Sequence, residues 1–215
     1  MLTEPFFVDA EITKHVKLKS VVRRPENNVD KKLPLIVHLH GAGERGNIRL
    51  ASDSCVSNFI PDKFKDKVVI VSPCCPNDSH WEPDAVVRLV DEMIPKYNIN
   101  EDKIYLMGYS MGARGTWDIA TEYPNKFAAI APFSGFSCYL KAARIANLPT
   151  WIFHSEDDNV VPFEESWKMW HAMREFGGKP RLTKFEDKGH GGWYGVYSNE
   201  QFYEWLFSQK RKQAS

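Results

Sequence analysis

This chain has no excess of charge, no long apolar run and no cysteine framework. Its 28 basic residues balance 28 acidic ones, so no overall field draws nucleic acid or an anionic membrane surface toward it. No apolar run approaches the roughly 20 residues of a membrane span. The first residues, MLTEPFFVDAEITK, carry acids early and lack a basic start followed by an apolar stretch. A secretory signal peptide is therefore not expected, and the expected location is cytoplasmic. The four cysteines, Cys55, Cys74, Cys75 and Cys138, lack the spacing of a metal site. Adjacent Cys74 and Cys75 are badly placed to pair with each other, so all four are expected to be reduced and mostly packed. No cofactor and no metal is expected.

Repeats, linkers and low-complexity segments are also lacking. A length of 215 residues suits one sizeable core and is short for two, so residues 1–215 are expected to form one domain. With 43% apolar and 26% charged residues, the composition is that of an ordinary globular protein.

Apolar runs and helical patterns alternate almost throughout. Residues 6–24 alternate well enough for an antiparallel ribbon, and 25–32 form a polar turn. Buried strands are predicted at 35–39, 68–71, 104–107, 127–132, 150–154 and 181–185, where β-branched and aromatic residues cluster. Helices are predicted near 48–59, from Pro83 to about 96, from the serine at 110 to Pro124, at 139–146, from 163 to 176, and from 199 to 210. Such alternation implies an α/β fold with a mostly parallel sheet covered on both faces.

The stretch that organises the rest is KIYLMGYSMGARGTWDIATEY, residues 103–123. A strand runs into Gly108-Tyr109-Ser110-Met111-Gly112, and a helix follows at once. A serine between strand end and helix start sits in a sharp, strained turn with its hydroxyl pushed outward. A Cβ at either flanking glycine would collide across that turn. A chance Gly-x-Ser-x-Gly occurs in roughly one chain in fifteen of this length, so the strand and helix around it carry the weight.

In a sheet of this kind, active residues gather in loops beyond the carboxyl ends of the strands. After the strand at 35–39 comes His40-Gly41-Ala42-Gly43, small enough to bring backbone N–H groups to a substrate oxygen. After the strand at 150–154 come three acids, Glu156, Asp157 and Asp158. After the last strand comes Lys188-Gly189-His190-Gly191-Gly192-Trp193. The order is nucleophile, acid, histidine. A serine hydroxyl needs a base to take its proton, and histidine ionises in the right range to do so. The imidazolium then formed needs a carboxylate, and the N–H groups of Met111 and Ala42 would hold the oxyanion.

These segments, LHGAGERG (39–46), GYSMGARGTWDIATEYPNKFAAIAPFSG (108–135), DDNVVP (157–162) and KGH (188–190), resemble the α/β-hydrolase superfamily. Within it, the chain is similar to compact esterases and peptidases related to phospholipase/carboxylesterase and dienelactone hydrolase-like proteins. The resemblance covers nearly everything from about residue 15. It implies an α/β-hydrolase fold without a lid domain, and a serine hydrolase acting on carboxylic esters through an acyl-enzyme. In that family the acid lies four residues before the proline of a D-x-x-x-P turn, which selects Asp158 before Pro162, with Asp157 as the alternative. Two departures stand out: Gly112-Ala113 where many relatives have two glycines, and Gly191-Gly192-Trp193-Tyr194 after the histidine. The resemblance also places Trp81 near the pocket.

The expected catalytic set is thus Ser110, Asp158 and His190, with Ala42 and Met111 as oxyanion donors. Trp81, Trp193 and Tyr194 are expected to touch substrate, with plain packing as the competing reading for each. His40 is expected to brace the oxyanion loop, His38 and His154 to be satisfied core histidines or to stand behind the residues of the site, Glu44 and Arg45 to pair with each other or with neighbours and so fix the oxyanion loop, and Phe163, Trp167 and Trp170 to be core. The short connection between Pro132 and Leu148 leaves an open cleft, suited to small esters with short acyl chains or aromatic or sugar-linked acids. A peptidase and a non-catalytic binding protein on the same scaffold are the alternatives. The expected partner is a small-molecule ester, with no nucleic acid and no membrane; a homodimer is left open.

Overall fold

The computed structural model describes residues 13–26 and 31–211. In chain order the elements are β1 (Lys19–Arg23), β2 (Leu33–Leu39), a 3-10 turn (Ala42–Glu44), α1 (Ile48–Asp53), a second 3-10 turn (Val56–Asn58), α2 (Asp62–Lys65), β3 (Val69–Cys74) and α3 (Pro83–Lys96). Then come β4 (Ile99–Tyr109), α4 (Met111–Glu122), β5 (Ala129–Phe133), a 3-10 helix (Tyr139–Ile145), β6 (Trp151–Ser155), α5 (Phe163–Glu175), β7 (Arg181–Phe185), α6 (Trp193–Tyr197) and α7 (Glu200–Ser208). The seven strands form one sheet in the order β1-β3-β2-β4-β5-β6-β7. β1 runs antiparallel to β3, and every other neighbouring pair is parallel. The fold is that of an α/β-hydrolase.

Period-two alternation sends successive strand residues to opposite faces, and both faces are covered. Leu35, Val37 and Leu39 of β2 and Ile104 and Leu106 of β4 pack into one core with Val86, Val90 and Met93 of α3, Trp117 of α4 and Met169 and Met173 of α5. Ile36, Tyr105 and Met107 point the other way, into a second core with Phe64 of α2, Tyr197 of α6 and Phe202, Tyr203 and Leu206 of α7. Asn47 caps α1, its side chain accepting from the N–H groups of Arg49 and Leu50. Among the described residues, no helix is long and apolar enough to cross a membrane.

Several sequence expectations need correction. The ribbon predicted over 6–24 is, within the described residues, the single strand β1, which pairs with β3 rather than with a neighbour of its own; residues 6–12 lie outside them, as do 27–30 of the polar turn. The helix predicted near 48–59 breaks at Ser54 and Cys55 into α1 and a 3-10 turn. On α5 the buried stripe is Ser166, Met169 and Met173; Trp170 is half-buried and packs against the core as expected, whereas Phe163 is half-buried and Trp167 is exposed. The aromatic spacing fitted a helix face, but the shorter thioethers took the core side. Trp193 and Tyr194, expected on a loop, begin the short helix α6.

Candidate active site

The nucleophile turn follows from the strand and helix it joins. Ser110 separates β4 from α4 and adopts φ +54°, ψ −117°, a conformation disfavoured for a residue with a side chain. Two ties hold it: the Ser110 N–H donates to the Phe133 carbonyl on β5 (2.9 Å), and the Ser110 carbonyl accepts the Arg114 N–H (3.0 Å). The glycines on either side have no room for a methyl group. A Cβ on Gly108 would lie 2.4 Å from the Gly112 carbonyl oxygen, and one on Gly112 would lie 2.0 Å from that of Leu39. At the departure Gly112-Ala113, the Ala113 methyl is fully buried. It occupies the space a Cβ on Gly135 would need, 2.3 Å away, so a glycine on the next strand's loop accommodates it.

Three distant loops meet at this serine. Ser110 Oγ lies 2.9 Å from His190 Nε2, and His190 Nδ1 lies 2.8 Å from Oδ2 and 3.0 Å from Oδ1 of Asp158. The Asp158 carboxylate is buried. Its Oδ1 also accepts the N–H groups of Val160 and Val161, each at 2.9 Å. Burial opposes its ionisation, but the hydrogen bonds from His190, Val161 and Val160 and the attraction of His190 outweigh that, and the pKa falls below the usual carboxylate value. With an anion on that side, the proton of the imidazole sits on Nδ1, leaving the Nε2 lone pair toward the serine hydroxyl.

Asp157, the alternative acid, has a different task. Its Oδ1 accepts the Gly189 N–H at 2.8 Å and the Ser155 hydroxyl at 2.5 Å, while Ser155 Oγ accepts the Lys188 N–H at 3.0 Å. These bonds hold the loop that carries His190. A further tie comes from Tyr109, beside the nucleophile, whose hydroxyl donates to the His190 carbonyl at 2.7 Å. Sequence reasoning missed this role, although Tyr109 occupies a variable place of the Gly-x-Ser-x-Gly motif. Asp157→Ala, which frees the Gly189 N–H, is expected to lower kcat about three- to tenfold with little change in Tm, the scale of one net hydrogen bond. A kcat equal to wild type would show that Tyr109 and Ser155 suffice to hold the loop.

The two N–H groups expected to hold an oxyanion lie on the loop after β2 and at the start of α4. Met111 opens α4 and Ala42 opens a 3-10 turn, so neither N–H has an acceptor within its own helix. The close passage of Gly112 against Leu39 brings the two segments together, and the positive end of the α4 dipole lies at Met111. His40 braces the loop: its Nδ1–H donates to the Gly41 carbonyl (2.7 Å), and its Nε2 accepts the Cys75 N–H (3.0 Å). Burial, with the Arg45 charge adding to it against the opposing Gly41 bond, lowers the His40 pKa and keeps the ring neutral. Arg45 does not pair with Glu44; its Nε reaches Met111 Sδ at 3.1 Å, joining loop to helix. His38 lies in the second core, 3.0 Å from the Tyr197 hydroxyl, and burial followed by the nearby His40 pushes its pKa down to about 3. Cys74 and Cys75 are buried, and burial, only partly offset by Arg45, pushes the Cys75 thiol up to about 11.

The dienelactone hydrolase family profile matches residues 76–196, more than half of the chain. The chain belongs to the dienelactone hydrolase family. Among its relatives, the bifunctional acetylxylan esterase/xylanase XynS20E of Neocallimastix patriciarum is 26% identical over 145 residues, 65% of this chain and 21% of that one. Feruloyl esterase B of Neurospora crassa is 30% identical over 131 residues, 52% of this chain and 43% of that one. A thermostable esterase of known structure superposes with a TM-score of 0.84 at 34% identity, covering 91% of this chain and 60% of that chain. The chain thus spans about a fifth of the length of the first of these relatives and three fifths of the last.

Of the residues expected to touch substrate in this dienelactone hydrolase-family member, two lie deeper than expected. Trp81 is 5% exposed; its Nε1–H donates to the His40 carbonyl at 3.2 Å, and it fills the space that a Cβ on Gly115 would need. It supports the oxyanion loop from behind. Trp193 is 6% exposed and packs against Tyr109 and Phe59, so it backs the histidine loop rather than facing solvent. The large indoles were drawn into the core by the area they bury. Tyr194 is half exposed beside Phe59, at the rim. Phe136, Tyr139, Leu140 and Val160 are also exposed on connections leaving the same end of the sheet.

Proposed function

We propose that this protein is a serine hydrolase of carboxylic esters that works through an acyl-enzyme. One observation carries the reading: an unbroken line of hydrogen-bond distances runs from the Ser110 hydroxyl through His190 to the buried carboxylate of Asp158. Ser110 Oγ attacks the ester carbonyl carbon while His190 Nε2 takes its proton. The Met111 and Ala42 N–H groups stabilise the oxyanion, each such donor being worth about 2.7–4 kcal/mol. His190 returns the proton to the departing alkoxide, and the alcohol leaves. Water then repeats the sequence on the acyl-serine and releases the acid.

The substrate class follows from the rim. The connection between β5 and β6 holds one 3-10 helix and no inserted lid, and it exposes Phe136, Tyr139 and Leu140 beside Lys141 and Arg144. That suits small esters with short acyl chains or aromatic or sugar-linked acids better than interfacial lipids. The acetylxylan and feruloyl esters in the names of its relatives belong to this class. Specificity constants for p-nitrophenyl acetate and butyrate, measured beside aminoacyl anilides, test the reading. Ester turnover is expected to exceed anilide turnover; the reverse order would make the protein a peptidase.

A further inference from the structure

One histidine of the site has no part in the reaction described above. His154, at the end of β6, is buried with no exposed side-chain surface, four residues before Asp158. Its Nε2 lies 3.1 Å from Asp158 Oδ2 and 2.9 Å from the Val161 carbonyl oxygen. Both are acceptors, so Nε2 must carry a proton. Its Nδ1 lies 2.7 Å from the hydroxyl of Ser166, a buried residue on α5 whose other neighbour is the Gly135 carbonyl at 3.4 Å. In a neutral ring Nδ1 is then an acceptor, and Ser166 donates to it. Burial keeps the ring neutral, outweighing the Val161 and Asp158 contacts that favour the charged form.

We propose that His154 is a positioning residue of this site: its Nε2–H holds Oδ2 of Asp158, and Ser166 fixes the tautomer that makes that donation possible. The line of side chains therefore has five members, Ser166, His154, Asp158, His190 and Ser110. Oδ1 of Asp158 is pinned by two backbone N–H groups, whereas Oδ2 has His154 beside His190. Without the His154 donor, a buried anion would rely on His190 alone at that oxygen. It would then draw more strongly on the Nδ1 proton and lose its fixed orientation. The inference rests on the ester-hydrolase reading for its kinetic consequence, and on geometry alone for the donation itself.

The test compares His154→Phe, His154→Gln and Ser166→Ala, with p-nitrophenyl acetate as substrate. His154→Phe keeps a ring and removes both nitrogens; kcat is expected to fall about ten- to a hundredfold with KM within about twofold, the scale of one hydrogen bond to a charged group. His154→Gln restores an N–H near the place of Nε2 and should recover most of that loss. Ser166→Ala leaves the ring in place and should lower kcat several-fold with KM unchanged, which keeps the test open if His154→Phe does not fold. Wild-type kcat in folded His154→Phe or in Ser166→Ala would overturn the proposal, as would a loss that His154→Gln fails to recover. A wild-type protein without ester turnover would sink the hydrolase reading separately. The imidazole nitrogen shifts of His154 then decide the donation: a proton on Nε2 supports it, and a proton on Nδ1 overturns it.

Discussion

Replacing Ser110 by alanine is expected to leave a folded protein with less than about a thousandth of the wild-type ester turnover, and His190→Ala is expected to do nearly the same. The two side chains act as one unit. Without the hydroxyl there is no acyl-enzyme, and without the Nε2 lone pair, 2.9 Å from Oγ, the hydroxyl stays a poor nucleophile. The losses should therefore not add: the double variant should be no slower than about the worse single one. The fold has no reason to suffer, because the Ser110 turn is held by backbone bonds to Phe133 and Arg114 and not by the hydroxyl. Steady-state rates on p-nitrophenyl acetate, with circular dichroism as the folding control, check both points. Activity above about a thousandth in either single variant would remove that residue from its assigned role. A fluorophosphonate probe should label wild-type protein at Ser110 and leave the alanine variant unlabelled.

The second large effect is steric. In Gly112→Ala the new methyl carbon would lie 2.0 Å from the Leu39 carbonyl oxygen, 2.6 Å from its carbon and 2.8 Å from the His40 carbonyl oxygen. All three are backbone atoms of β2 and its loop, so no side chain can swing away, and α4 must move off the sheet. Overpacking of this kind costs about 1–3 kcal/mol and sometimes more, which lowers Tm by roughly 2–12 °C for a domain of this size. Turnover should fall as well, because the displacement separates the Met111 N–H from the Ala42 N–H. Gly43→Ala is the control within the same oxyanion loop: a Cβ there meets nothing within 4 Å, and both Tm and turnover should stay at wild-type values. Equal Tm for the two variants, read by calorimetry, would refute the close approach of α4 to β2.

The central strands were readable from the sequence because each holds a short apolar run, and β2, β3 and β5 are buried along almost their whole length. Most long helices were readable too; α3 begins at Pro83 and α4 ends ahead of Pro124. The α5 stripe was misread. Trp167 and Met169 are both apolar at positions a helix could bury, and which one faces the sheet depends on the neighbouring 3-10 helix and strands rather than on local spacing. For Trp81 and Trp193 the sequence left substrate contact and packing both open, for a related reason. A tryptophan beside a catalytic loop serves equally well as a wall or as a prop, and burial decides between them.

By itself the sequence determined the nucleophile turn, the order of nucleophile, acid and histidine, and the loops that carry them. Each of these is a local pattern, set by sterics and hydrophobic periodicity within a few residues. Tertiary structure decided that Asp157 holds the histidine loop while Asp158 meets the imidazole, that Tyr109 ties down a carbonyl 81 positions away, and that the His154 imidazole reaches the Asp158 carboxylate. Those outcomes depend on where strands from distant parts of the chain end relative to one another. That registration is fixed when the sheet is assembled, and no short window of sequence contains it.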